Sequence, residues 1–268
     1  MQFGTGFLLA LAISSGAYAA RALTATGVVA AVVLGTVVYG LGGWQAAAVL
    51  IAFFIGTSLL ERTLKHLGTS PVGIYAKSSR RDGSQVAANG FAAALFVVIG
   101  YLLPQTTWPW VAFAGSIAAV TADTWATEMG ALSATAPRLI TRMAQRVRPG
   151  TSGGITLVGT AAAVLGGLLI GVLAALLASW PGTGLLLPIA VGGLLGALFD
   201  SVLGATVQGM YECPTEQVET EQHPRHACGA RTVHIRGWRW LNNEVVNLAS
   251  SLFGALTALL LAWLGASI

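Results

Sequence analysis

Apolar residues fill this chain in blocks at roughly 4–20, 22–40, 44–60, 85–103, 110–130, 155–178, 185–208 and 244–266. A hydrocarbon core about 30 Å thick needs about 20 apolar residues per helix, so each block predicts one membrane span. The connections between blocks alternate in character. Those near 41–43, 104–109 and 179–184 hold no charge of either sign. All 14 Lys and Arg residues lie in the others: Arg21 after the first block, Arg62, Lys65, Lys77, Arg80 and Arg81 after the third, Arg138, Arg142, Arg146 and Arg148 after the fifth, and Arg225, Arg231, Arg236 and Arg239 after the seventh. Cytoplasmic loops carry the Lys/Arg excess, so the alternation predicts orientation as well as spans. The expected fold is an all-α, polytopic transmembrane bundle of about eight spans. Both termini lie outside the cytoplasm, and loops 61–84, 131–154 and 209–243 lie within it.

The first block has two readings. Ala17-Tyr18-Ala19 looks like a signal-peptidase site, yet Met1-Gln2-Phe3 lacks the basic n-region of a signal peptide. A retained helix is therefore expected. Were that helix only interfacial, seven spans would remain.

Composition narrows the picture. Eight spans use most of the 268 residues, which predicts a single integral-membrane domain over 1–268. The chain is 55% apolar and 9% charged, against ~25% charge in soluble domains. Its pI near 9.4 reads as the basic bias of cytoplasmic loops beside anionic lipid, so no nucleic-acid partner is expected. Small residues such as those at 159–167 predict helices in close approach.

Ionisable side chains inside spans are costly and mark function. Asp123 and Asp200 fall in the cytoplasmic halves of their spans, and Glu128 falls near its span's exit. Asp82, Gln85 and Asn89 share a face at the start of the fourth span, as Asn243 and Asn247 do at the start of the eighth. Oxygen ligands without a histidine cluster suit Mg²⁺ bound through one or two carboxylates and substrate phosphates. Helix-to-helix hydrogen bonding is the blander role for the carboxamides. In the loops, Arg80 and Arg81 could grip phosphate oxygens. Ser152-Gly153-Gly154 opens the sixth span with small residues whose N–H groups could meet an anion, although it is no Walker A loop. Cys213 and Cys228 share the last long loop with His223, His226 and His234. A cytoplasmic pair is not expected to form a lasting disulfide; Cys213, His226 and Cys228 are candidates for structural zinc.

Four stretches together resemble a known family. They are Ser79–Gly90, Ala122–Gly130, Ser152–Thr156 with Gly159-Thr160, and Asp200–Gln208 followed by Trp240–Asn247. Their order and spacing resemble the polytopic membrane family that contains plant phytyl-phosphate kinase and animal transmembrane protein 19, from about residue 20 to the end. The resemblance implies a kinase that converts an isoprenyl monophosphate, such as phytyl or geranylgeranyl phosphate, to the diphosphate, with CTP as donor in the plant members. The resemblance also implies a departure: prokaryotic members often carry a Cys-Pro-x-Cys pair where this chain has Cys213 to Glu216, so a zinc site is either lost or completed by Glu or His.

The combined expectation is a membrane isoprenyl-phosphate kinase that uses a nucleoside triphosphate and Mg²⁺. Asp123, Asp200, Glu128 and Asn89 are its catalytic candidates, with Asp123 and Asp200 on the metal. Arg80, Arg81, Asp82, Ser152, Gly153, Gly154, Asn243 and Asn247 are the candidates for phosphate binding. A lipid-phosphate cytidylyltransferase and a cation-coupled transporter are the alternatives.

Overall fold

The computed structural model describes residues 2–66, 80–179 and 183–266; Lys77, Ser79 and the rest of 67–79 lie outside it. Seven helices account for most of the described chain: α1 (Gln2–Ala19), α2 (Ala25–His66), α3 (Gly83–Leu102), α4 (Trp108–Gly130), α5 (Leu157–Leu177), α6 (Leu186–Thr206) and α7 (Asn243–Ala266). The protein is a polytopic all-α membrane bundle, as the apolar blocks predict. The second and third blocks are joined without a loop. Gly43 alone breaks α2, at φ 70° and ψ −170°, a left-handed conformation that glycine adopts without a Cβ penalty. By length and composition, five of the described helices can cross a membrane: α2, α3, α5, α6 and α7.

α4 is the central element. It packs on α2, α3, α5, α6 and α7, and its residues Val111–Ala122 are buried throughout. A helix shielded by its neighbours does not need a lipid-facing apolar surface. That is why α4 can carry Ser116, Thr121, Asp123, Thr124 and Glu128. The core around it joins Phe53, Phe96, Phe113, Ile117, Ile170 and Ile189. Small residues set the spacing of α5 against α4. A methyl on Gly159 would meet the Ala126 carbonyl oxygen at 2.8 Å, and one on Gly166 would meet Ala122 Cα at 3.2 Å. Overpacking of that kind costs about 1–3 kcal/mol. The close approach brings the start of α5 beside the end of α4 that bears Asp123 and Glu128.

Two connections are more structured than expected. Between α4 and α5, β1 (Arg138–Leu139), β2 (Arg142–Arg146) and β3 (Gly154–Ile155) form an antiparallel sheet in the order β2-β1-β3. Between α6 and α7, β4 (Met210–Cys213), β5 (Val218–Thr220) and β6 (Val233–Arg236) form another, in the order β5-β4-β6. Arg236 ties the second sheet to α6: it donates to the Gly204 carbonyl at 2.9 Å and pairs with Glu219 at 2.5 Å. Both sheets sit at the end of the bundle where α4 and α6 stop and α5 and α7 start.

Candidate active site

Residues distant in sequence converge on one cavity of about 510 Å³ at that end of the bundle. α2 supplies Glu61; α3 supplies Gln85 and Asn89; α4 supplies Asp123, Thr124, Thr127 and Glu128. Thr156 and Thr160 come from the start of α5, Asp200 and Ser201 from α6, and Asn243 and Asn247 from α7. The connections between helices add Arg81, Ser152, Gly153, Gly154 of β3, Gln208 and Glu221. Of the expected carboxylates and carboxamides, all but Asp82 thus share one space. On α3, α4, α6 and α7 they occupy the third of each helix nearest this end.

Arg81 is held there by the local chain path. The segment before α3 pairs with the turn between α1 and α2: Arg81 N–H donates to Ala22 O at 2.9 Å, and Thr24 N–H donates to Arg81 O at 3.0 Å. Gly27 allows this approach, because a Cβ there would lie 2.3 Å from Arg81 O. The guanidinium pairs with Glu61 and lies 5.7 and 5.9 Å from the ring centroids of Phe53 and Phe54. Its Nη1 is buried with no hydrogen-bond partner among the described residues. One arm of a planar fork is therefore left over, of a kind that can meet an anion.

Asp123 and Asp200 are electrostatic neighbours, and Glu221 joins them from the loop after β5. Asp200 Oδ2 is likewise buried without a hydrogen-bond partner among the described residues. Clustered carboxylates with an unsatisfied buried oxygen form a donor set that fits a hard divalent cation. Asn247 Nδ2 donates to Asn89 Oδ1 at 3.2 Å, so this pair bonds α7 to α3 and also faces the cavity. Ser152 Oγ donates to Gln208 Oε1 at 3.1 Å, and Gln208 Nε2 donates to Glu221 Oε1 at 2.9 Å. That relay fixes the loop before α5 against the loop after α6.

Three expected phosphate-binding residues are engaged in other contacts. Arg80 does not line the cavity. It donates to Leu23 O at 2.9 Å and lies over the Tyr18 ring at 5.4 Å, bracing the α1–α2 turn. Asp82 is the N-cap of α3: its Oδ1 accepts from Gln85 N–H at 3.0 Å and from Ser84 Oγ at 2.7 Å, a capping box rather than an anion site. Gly154 lines the cavity, but its N–H donates to Thr151 O at 3.0 Å. Nor is the start of α5 open to an anion at every amide, since Thr156 Oγ1 accepts from Gly159 N–H at 3.0 Å. Gly153 has φ +81°, and a Cβ there would meet Ala205 at 2.5 Å. The glycines thus seat this loop on α6. Sequence reading passed over Glu61, Gln208 and Glu221; a possible signal was Glu61, an acid placed one residue before the basic cluster that opens at Arg62.

The cysteine loop forms a separate cluster outside the cavity. Cys213 Sγ lies 3.5 Å from Cys228 Sγ, and His226 Nδ1 lies 3.3 Å from Cys228 Sγ. Glu216 Oε1 is 3.8 Å from His226 Nδ1. Zinc with bonds of about 2.3 Å to sulfur holds tetrahedral thiolates ~3.8 Å apart, so the spacing fits. The Ala230 backbone N–H favours the Cys228 thiolate, but the hydrogen bond with Cys213 and the nearby negative groups outweigh it and raise the thiol above its usual value.

Residues 8–255 match the family model described as integral membrane protein DUF92. An uncharacterized membrane protein of Methanocaldococcus jannaschii is 34% identical over 191 residues, covering 69% of this chain and 74% of the relative. Protein PGR of Arabidopsis thaliana is 32% identical over 235 residues, covering 78% and 79%. An uncharacterized membrane protein of Synechocystis is 29% identical over 265 residues, covering 94% and 86%. No solved structure matches the chain.

Proposed function

The chain belongs to the DUF92 integral membrane protein family, and on that premise we propose that it is a membrane kinase. It transfers a phosphoryl group from a nucleoside triphosphate, CTP being the favoured donor, to an isoprenyl monophosphate such as phytyl or geranylgeranyl phosphate. The single observation that carries this reading is the cavity that Asp123, Asp200, Glu128 and Glu221 line together with Arg81 at one end of an apolar bundle. Phosphoryl transfer is catalysed mainly by positioning and charge neutralisation. An acceptor anchored in the bilayer would bring its phosphate to this depth, and the basic loops support a cytoplasmic position for this end of the bundle, where nucleotides are found.

The acceptor oxygen attacks the γ-phosphorus. The bond between that phosphorus and the β–γ bridging oxygen breaks, and the nucleoside diphosphate leaves with the electron pair. The acceptor phosphate is already anionic, so no general base has to deprotonate it. Magnesium, when bound, supplies neutralisation of the donor phosphates, and Asp123 and Asp200 would hold it, with Glu128 or Glu221 completing the set. Arg81 binds a phosphate through its free Nη1, while Glu61 fixes the guanidinium plane. Asn89, Asn243 and Asn247 orient phosphate oxygens, and Ser152 and Gly153 shape the wall opposite. A cation-coupled transporter would centre its site near the midplane; this cavity belongs to one end. The cysteine cluster is proposed as a structural zinc site that closes the loop bearing Glu221.

The test is product analysis of pure protein with Mg²⁺, each nucleoside triphosphate, and phytyl, geranylgeranyl or farnesyl monophosphate. Lipid diphosphate and nucleoside diphosphate are expected in equal amounts. No transfer with any pair would remove the reading.

A further inference from the structure

A second cavity, of about 270 Å³, lies among α1, α2 and the start of α3. Its wall is apolar: Leu9 and Ile13 of α1, Leu34 and Phe54 of α2, and Val86 of α3 contribute to it. Arg81 and Asn89 line both this cavity and the polar one. The two spaces therefore meet at one guanidinium and one carboxamide. Phe53 and Phe54 stand beside Arg81 on the apolar side, and Glu61 pairs with it on the polar side. Away from Arg81, the cavity follows α2 from Ala31 to Trp44 beside the Gly43 kink. Thirteen residues at 1.5 Å each make that path about 20 Å, roughly two thirds of a hydrocarbon core.

We propose that this cavity takes the hydrocarbon chain of the acceptor, a lipid monophosphate whose phosphate meets Arg81 and whose tail runs between α1 and α2 toward Trp44. The inference rests on the phosphoryl-transfer reading for its substrate, but its geometry does not depend on the donor. An apolar slot ending at an arginine selects an amphiphile with an anionic head. It excludes free phosphate, which has no tail to bury, and disfavours an alcohol, which has no charge to meet the free Nη1. α1, which packs mainly on α2, forms the outer wall. Its parting from α2 is the route by which the tail enters from the bilayer.

Photolabelling of the full chain in phosphatidylcholine nanodiscs tests this. The probe is geranylgeranyl monophosphate with a diazirine on its last isoprene unit, added without nucleotide. Label should map to α1 between Gly6 and Ser14 and to α2 near Trp44. Unlabelled geranylgeranyl monophosphate should compete, whereas inorganic phosphate and geranylgeraniol should not. Ala31→Phe and Ala47→Phe fill the cavity and should raise the lipid KM about tenfold or more, the order expected when a couple of methylenes lose their burial. Turnover of dimethylallyl monophosphate, which has little tail to place, should stay unchanged and report an intact site. Val33→Phe, on the exposed face of α2, should change neither. Label on exposed positions such as Val33 and Leu59, or competition by phosphatidylglycerol as effective as by the isoprenyl phosphate, would overturn the tail assignment even if the kinase is active. Cavity labelling without transfer from any nucleotide would sustain the lipid-phosphate site and defeat the kinase reading instead.

Discussion

A carboxylate set among packed helices has to find a cation, a donor or a proton, and Asp200 Oδ2 finds no donor among the described residues. Asp123→Asn and Asp200→Asn are therefore expected to cut phosphoryl transfer by about 10²-fold or more, the scale seen when an electrostatic contact to developing charge is lost. Thermal stability should hold or rise, since each change removes a buried charge. Near-normal turnover in both variants at low Mg²⁺ would make them structural. Arg81→Lys should fail to restore activity, because lysine keeps the charge and loses the fork. Arg80→Lys should behave like the parent in kcat and KM; a kinetic loss there equal to that at Arg81 would return Arg80 to the site. Sequence alone treated the two arginines alike. They are neighbours in an extended stretch, where successive side chains point opposite ways, so one faces the cavity and the other the α1–α2 turn. Asp123, Glu128 and Asp200 were legible because charge within an apolar block is anomalous. Glu61 and Glu221 were not, since an acid in or beside a charged loop is ordinary until the fold pairs it with Arg81 or Gln208.

Among the elements, the helices were legible and the connections less so. Apolar blocks of span length announce themselves, and even the Gly43 kink falls at the expected uncharged break. The two sheets left no such mark. Their strands run from two to five residues, too short for alternation to stand out in a polar loop. β4 and β5 carry the chain from α6 through Cys213 toward Glu221, so the cysteine cluster bears on the site through this hairpin. Replacing Cys213 and Cys228 together by Ser should lower the melting temperature by about 2–4 °C for each kcal/mol lost, and elemental analysis should find up to one zinc per chain in the parent and none in the variant. Turnover of the folded fraction should stay close to the parent's, because the proposed Mg²⁺ site has no need of thiolates. Zinc-free protein of unaltered stability would contradict the structural role; a thiol required for turnover would contradict the separation from the chemistry.

At the scale of the whole molecule, a polar centre is carried on α4 and shielded by the helices around it. The polar cavity around it lies at the end where the long, basic connections lie. The positive-inside rule predicts a cytoplasmic position for that end. Alkaline phosphatase fused after Gln105 or at the C-terminus should be active in a bacterial host, and silent when fused after Gln145 or Gln217. Activity of the last two would invert the orientation and separate the site from its nucleotide. The direction of bond breaking is decided by where the label travels. Purified protein incubated with Mg²⁺, geranylgeranyl monophosphate and CTP labelled at the γ-phosphorus should move the label into the lipid and release CDP. CTP labelled at the α-phosphorus should leave the lipid unlabelled, and Asp200→Asn should abolish the transfer. Label entering the lipid from the α-phosphorus, with release of pyrophosphate, would make the protein a cytidylyltransferase and contradict the kinase.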